Sequence, residues 1–200
     1  MQIEHLSGVE KNLWLQIGGY LAEKLTYPTA VKLVRKGILS AQKYLKEIHE
    51  TSYSRYWIVK NTILPRAVIY KILKESGYDA DALMTEYMKR NAEPSHAKLL
   101  KLEQLPFFYE LFSTGFILLV KHCDAWASET ESEQHFSAGT IHKCLWHEIC
   151  IQIDCPEACA YFCKSDEYAY SNLKKIGFHR TQTLGTGGNC CDFVFYRRKD

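Results

Sequence analysis

The spacing of apolar residues changes once along this chain, near residue 120, and that change fixes which elements it can build. Before that point Val31, Val34, Ile38, Ala41, Leu45 and Ile48 recur at alternating steps of three and four, the spacing of one helical face. Thr26 precedes Tyr27-Pro28 as a natural N-cap, because Pro tolerates the first helical turn. Gly37 inside the stripe weakens that helix somewhat. Asn12 to about Lys24 reads as an earlier helix, and Tyr53–Leu64 as a later one that meets Pro65, which either starts a new helix or kinks a continuous one. Val68, Ile69, Ile72 and Leu73 form a stripe closed by Gly77, and Asp79 caps the helix that follows. Glu93-Pro94-Ser95 reads as a loop, Leu99–Leu105 as a last helical stretch, and Pro106 as the opening of Phe107–Val120.

Past that point the spacing becomes two. Phe136, Ala138, Thr140, His142, Cys144 and Trp146 alternate with their neighbours, as in a strand. Cys123–Glu129 reads as a strand before it, and a short helix follows from Trp146 to about Ile153. Another lies around Ala158 to Tyr161, and Ser165 caps a helix to Lys175 that Gly177 ends. Phe178–Leu184 and Cys191–Arg197 are two β-like runs joined by Gly185-Thr186-Gly187-Gly188-Asn189. The order of elements implies an α+β fold, an N-terminal helical half packed with a small C-terminal antiparallel sheet carrying embedded helices. Residues 1–120 form the helical portion and 121–200 the cysteine-rich α+β portion, expected to make one compact unit.

Charge excludes one class of partner. Twenty-five basic and 23 acidic side chains are interspersed and leave a net charge of +2, without the basic stripe that nucleic acid requires. The apolar runs Phe116–Val120 and Ala158–Cys163 fall far short of the roughly 20 residues that span a bilayer. Met1-Gln2-Ile3-Glu4-His5-Leu6 has neither a basic nor an apolar leader region, so the expectation is a cytoplasmic protein with no membrane or nucleic-acid partner. Phe107, Phe108 and Tyr109 line either the core or a subunit contact, which leaves a homo-oligomer open.

All eight cysteines lie at position 123 or later: Cys123, Cys144, Cys150, Cys155, Cys159, Cys163, Cys190 and Cys191. In a reducing compartment such clustering suggests thiols kept for chemistry, although about half are expected to be small buried apolar residues. A zinc site from Cys155, Cys159 and Cys163 with His147 or His179 competes with the absence of close ligand pairs, so no metal or other cofactor is expected. In the hairpin, strand alternation sends Cys191 and Asp192 to opposite faces. Cys163, just before the helix expected to start at Ser165, would have its thiol pKa lowered by that helix N-terminus. His135, His142, His147 and His179 offer a base to a nearby thiol.

The run Phe178-His179-Arg180-Thr181-Gln182-Thr183-Leu184-Gly185-Thr186-Gly187-Gly188-Asn189-Cys190-Cys191-Asp192-Phe193-Val194-Phe195 resembles the end of the L-2-amino-thiazoline-4-carboxylic acid hydrolase family. Cys144, Cys155-Pro156 and Phe162-Cys163 followed by Asp166 fit the same pattern, as does the helix Leu64-Pro65-Arg66-Ala67-Val68-Ile69-Tyr70. The resemblance covers most of residues 60–195, most closely in the final third. It singles out Cys144, Cys163, Asp166, Arg180, Thr181, Gly188, Cys191 and Asp192, whereas Cys150, Cys159 and Cys190 lie outside the pattern. It implies a hydrolase that adds water to a cyclic isothiourea and releases a carbamoyl-cysteine.

On that reading Cys191 or Cys163 attacks, His179 or another histidine handles protons, and Asp166 or Asp192 holds the amidinium. Arg180 anchors the substrate carboxylate, and Thr181, Gly188 and Cys144 complete the substrate pocket. A non-catalytic small-molecule or metal sensor is the main alternative, followed by a tailoring enzyme of the same fold on another substrate.

Overall fold

The computed structural model describes residues 6–50 and 52–198. Eight α-helices and four strands appear among them, with the order of elements that defines α+β: helices first, then a small antiparallel sheet interrupted by helices. The chain divides into two compact units, one of residues 1–84 with 149–158 and one of residues 85–148 with 159–200. Residues 85–122, which are mainly helical, sort with the sheet. No helix among the described residues is long and apolar enough to cross a membrane.

The first unit is helical. α1 (Gly8–Lys24) is capped by the Ser7 side chain, and α2 (Tyr27–Glu47) by Thr26, which accepts from the Thr29 N–H. The buried face of α2 is Ala30, Leu33, Gly37, Ile38 and Ala41. Gly37 has a positive reason to be there, because a Cβ at that position would lie 2.8 Å from the Trp14 ring. Next come α3 (Tyr53–Ile58), a π turn (Val59–Ile63) and α4 (Leu64–Glu75), which run on without a break. Of the two outcomes open at Pro65, the chain takes the continuous one. The π turn moves the Leu64 N–H onto the Val59 carbonyl, so bonding is already displaced where Pro65 has no N–H to offer. Gly77 adopts φ +79° and closes α4, and Asp79 accepts from the Ala82 N–H at the start of α5 (Ala80–Leu102). Residues 149–158 complete this unit, where Lys71 Nζ donates to the carbonyls of Ile153 and Asp154.

Four expectations need correction. The β-like run Phe178–Leu184 is a strand only over Ile176–His179, and residues 180–190 form a loop. Pro94 lies inside α5 rather than in a loop. It sits on the exposed face, where water can solvate the carbonyl that loses its partner. The first strand runs later than expected, Trp126–Ser132, because Cys123 caps α6 (Phe108–His122) and the next residues turn the chain, the Trp126 N–H donating to the Cys123 carbonyl at 3.3 Å. Ser165 does not begin a helix: one helix runs from Ala158 to Tyr170, and the Ser165 hydroxyl donates back to the Phe162 carbonyl at 2.6 Å.

The second unit carries the sheet, with strand order β1-β2-β4-β3 and every pair antiparallel. β1 is Trp126–Ser132, β2 Phe136–Cys144, β3 Ile176–His179 and β4 Cys191–Arg197; α7 (Leu145–Gln152) and α8 (Ala158–Tyr170) lie between β2 and β3. β2 buries Ser137, Gly139 and Ile141. The small residues on this face let α6 approach, since a Cβ on Gly139 would meet the Phe116 ring at 2.9 Å. Phe195, fully buried, is the centre of an aromatic cluster with Phe112, Phe116 and Tyr170 at 4.8 Å and Phe178 at 5.0 Å between ring centroids. Phe108 and Tyr109 join this core, while Phe107 is exposed. Burying aromatic rings against one another is among the largest stabilising contributions a domain of this size makes.

Candidate functional site

β3 and β4 are joined by residues 180–190, and that long loop is held at three points. Asp192, the second residue of β4, accepts hydrogen bonds from the Thr181 N–H at 3.0 Å, the Gln182 N–H at 2.8 Å and the Thr181 hydroxyl. Burial pushes its carboxyl up, but these donors outweigh burial and leave the pKa below the ordinary aspartate range. Thr183 caps a short 3-10 turn (Leu184–Thr186). Gly187 follows with φ +87°, and the Gly188 N–H returns to the Thr183 carbonyl at 2.8 Å. Gly188 must lack a side chain, because a Cβ there would lie 2.8 Å from that of Gln182.

This loop lies against α8. A Cβ on Gly185 would fall 2.9 Å from Cys163 Sγ and 3.0 Å from Cys159 Sγ. Cys159 and Cys163 stand one turn apart on α8, so both thiols face the loop. The Leu184 N–H donates to Cys191 Sγ at 3.3 Å. As alternation requires, Cys191 is buried while Asp192 reaches out to the loop. Cys144 ends β2, and the N–H groups of Trp146 and His147 at the start of α7 act on its sulfur.

Environment decides the protonation of these thiols. Burial pushes Cys144 up to about 12, against the pull of those two N–H groups. Burial likewise takes Cys191 to about 11, the Leu184 N–H opposing it. Cys163 is raised first by its hydrogen bond with Cys159 and then by burial. The expected lowering of Cys163 by a helix N-terminus therefore fails, because the residue sits in the middle of α8 and not at its start. Near neutral pH all three are thiols, not thiolates. Cys150 and Cys155, in the first unit, are buried small residues.

Arg180 opens the loop with its side chain only 4% exposed. Its guanidinium donates to Asp166 Oδ2 at 3.1 Å, to the Cys163 carbonyl at 2.9 Å and to Glu167 Oε1 at 2.9 Å, and it stacks near the rings of Phe178 and Phe193. Asp166 sits in a recess on α8, 35% of its side chain still open. Desolvation raises its pKa to about 6, Arg180 holding it below a still higher value. Its charge in turn raises Cys163, Cys191 and Tyr170. His179 is exposed at the end of β3, and His147 is half-buried near the start of α7.

The eight family-pattern residues thus divide into three groups. Cys144, Cys163 and Cys191 form a neighbouring set of protonated thiols, and Arg180 with Asp166 forms an ion pair beside them. Thr181, Gly188 and Asp192 shape the loop. Sequence reasoning missed Gly185 and the buried Thr183, both of which seat the loop on α8. Glycine in a turn gave no hint that its missing side chain makes room for sulfur. Among the described residues, no group of three or more His, Cys, Asp or Glu side chains is placed to hold a metal ion.

A family model described as L-2-amino-thiazoline-4-carboxylic acid hydrolase matches residues 57–195, more than half of the chain. No curated protein matches. Among solved structures, the chain is similar to an H-NOX protein from S. oneidensis in the Fe(II) ligation state, at 10% identity over 98% of this chain and 97% of that one, with a TM-score of 0.38. The Fe(II) unliganded H-NOX protein from K. algicida matches at 10% identity over 96% and 97%, with a TM-score of 0.35. Likenesses this distant carry no argument about what the chain does.

Proposed function

The chain belongs to the L-2-amino-thiazoline-4-carboxylic acid hydrolase family, and from that premise we propose that it opens a small cyclic isothiourea of the 2-amino-thiazoline-4-carboxylate type beside Asp166. The observation that carries this reading is the Asp166 carboxyl, recessed, tied to Arg180 and pushed up to about 6. A carboxylate poised near neutral pH both accepts a proton from water and attracts an amidinium.

The chemistry balances without a cofactor. Water adds to the ring carbon bonded to two nitrogens and one sulfur. A C–O bond forms, one water proton, taken by Asp166, passes to the sulfur as the C–S bond breaks, and the other moves from the new hydroxyl to the ring nitrogen as the carbonyl forms. Arg180, whose donors are engaged by Asp166, Glu167 and the Cys163 carbonyl, acts as the positioning residue for that carboxylate rather than as the anchor of the substrate carboxylate. The raised pKa values of Cys191 and Cys163 favour water over a thiolate as the attacking group, with the thiols forming the wall of the site. Asp192 and Gly188 keep the loop in place.

Turnover of 2-amino-thiazoline-4-carboxylate, followed by mass spectrometry of the carbamoyl-cysteine product, tests this. Asp166→Asn should lower turnover by about 100-fold or more, while Cys191→Ala and Cys163→Ala stay within about tenfold of the parent. Full turnover in a folded Asp166→Asn variant ends the proposal for Asp166. A covalent adduct on Cys191 or Cys163 that disappears in the matching Ala variant makes the thiol the nucleophile. No turnover of any thiazoline by the parent protein rejects the substrate class.

A further inference from the structure

A concave surface of a different character lies in the first unit. A cavity of about 740 Å³ runs between α1 and α2, a volume within the usual range for small-molecule sites. It arises because each helix has two apolar stripes. Leu13, Trp14, Ile17 and Leu21 on α1 are buried in the unit's core. Leu15, Gly18, Gly19 and Ala22, at positions i, i+3, i+4 and i+7 of the same helix, line the cavity together with Trp14. On α2 the cavity is lined by Val31, Val34, Ile38 and Leu39. Leu15, Val31 and Leu39 remain exposed.

Two features set what would fit. The first is width: a Cβ on Gly18 would touch Val34 at 3.5 Å, but one on Gly19 would meet nothing within 4 Å, so Gly19 leaves space that a larger side chain would fill. The second is charge. α2 carries Lys32, Arg35, Lys36, Lys43 and Lys46 against the single acid Glu47. Arg35 is part of the cavity wall and makes no ion pair among the described residues, whereas Lys36 is paired with Glu75. A second copy of this chain would bring an equally basic helix against the first. An apolar trough with an unpaired cation in its wall complements one long apolar chain that ends in a negative charge.

We propose that the α1–α2 trough binds a single-chain anionic amphiphile, a long-chain carboxylate. Its chain lies over Gly18, Gly19 and Ala22, and its head group meets Arg35. This site uses residues that precede the family-matched segment, and its test does not depend on the chemistry proposed at Asp166.

Calorimetric titration of the full chain with monomeric dodecanoate, and with 1-dodecanol as the uncharged probe, tests the proposal. Dodecanoate should bind at one equivalent. Gly19→Leu, which also suits a helix better than glycine, should keep the helical circular dichroism and weaken both probes by about tenfold or more. Arg35→Gln should weaken dodecanoate by about fivefold and leave dodecanol unchanged. Absence of dodecanoate binding overturns the proposal, as does unchanged affinity in Gly19→Leu or equal loss of both probes in Arg35→Gln. A dimer in sedimentation that Gly19→Leu dissociates would make the occupant a second copy. Binding to phosphatidylglycerol vesicles without binding of monomeric dodecanoate would make it a membrane surface. Either result replaces the proposed ligand.

Discussion

Asp166 and Asp192 flank the same loop, yet they are opposite kinds of carboxylate. Asp192 is surrounded by donors that point at it, two backbone N–H groups and a hydroxyl, and its pKa falls. Asp166 loses water to burial, keeps one strong partner in Arg180 with Glu167 as a competing acid, and its pKa rises to about 6. The charged form is therefore settled at Asp192 and unsettled at Asp166. A settled carboxylate is what a loop needs to hold its shape, and an unsettled one is what a proton-transfer step needs. The contrast is why the two residues receive different roles here despite lying in one family pattern.

Arg180→Met should give the largest loss. It leaves Asp166 and Glu167 facing one another without their shared cation, and it frees the Cys163 carbonyl. A loss of about 3 kcal/mol in urea unfolding is expected, near the lower bound for breaking a buried pair because Asp166 is partly open. A loss below about 1 kcal/mol would mean that the ion pair is solvated and the contrast overstated. Asp192→Ala comes next, at about 2 kcal/mol, from donors left without an acceptor. Amide exchange at Thr181 and Gln182 should quicken more than exchange in β4; equal protection in the variant would show that the loop has other anchors.

The two acids should also leave opposite marks on stability as pH changes. Asp166 has a folded pKa of about 6, above the value of about 4 of an unfolded aspartate. Its share of stability is complete below about pH 4 and is lost as pH rises through about 6. Asp192 has a lowered folded pKa, so its share is present above about pH 4 and is lost as pH falls through that lower value. Unfolding measured from pH 3 to 7 should thus flatten between about 4 and 6 in Asp166→Asn, and on the acid side in Asp192→Asn. If Asp166→Asn leaves the curve unchanged across that window, Asp166 titrates at an ordinary value.

Much of this was legible in the sequence, and the rest was hidden for identifiable reasons. The change of apolar spacing gave the α+β order, Thr26 and Asp79 gave helix starts, and strand alternation separated Cys191 from Asp192. Ser165 misled because a hydroxyl suited to an N-cap serves equally well mid-helix when it bonds back to a carbonyl three residues earlier. Placing Cys163 at a helix N-terminus followed from that error, and so did the expectation of a lowered thiol pKa. Pro94 misled because an exposed carbonyl can go without its helical partner. The Arg180–Asp166 pair joins a loop to a helix across 14 residues, a distance over which no periodicity operates. The apolar spacing on α2 was visible, but whether its exposed side is covered depends on where α1 lies, which only the packing reveals.

The smallest effect is the one that separates shape from chemistry most cleanly. Gly187 adopts φ +87°, and a Cβ there would meet nothing within 4 Å, so Gly187→Ala adds backbone strain without a clash. The expected cost is about 1 kcal/mol. The bonds of Asp192 to Thr181 and Gln182 lie on the far side of the loop from this turn in sequence and should survive it. Turnover in Gly187→Ala should therefore fall only in proportion to the folded fraction, with the pH profile set by Asp166 unmoved. A shifted profile would mean that the turn reaches Asp166 through Gly185 and the α8 thiols, and that the loop tunes that carboxylate.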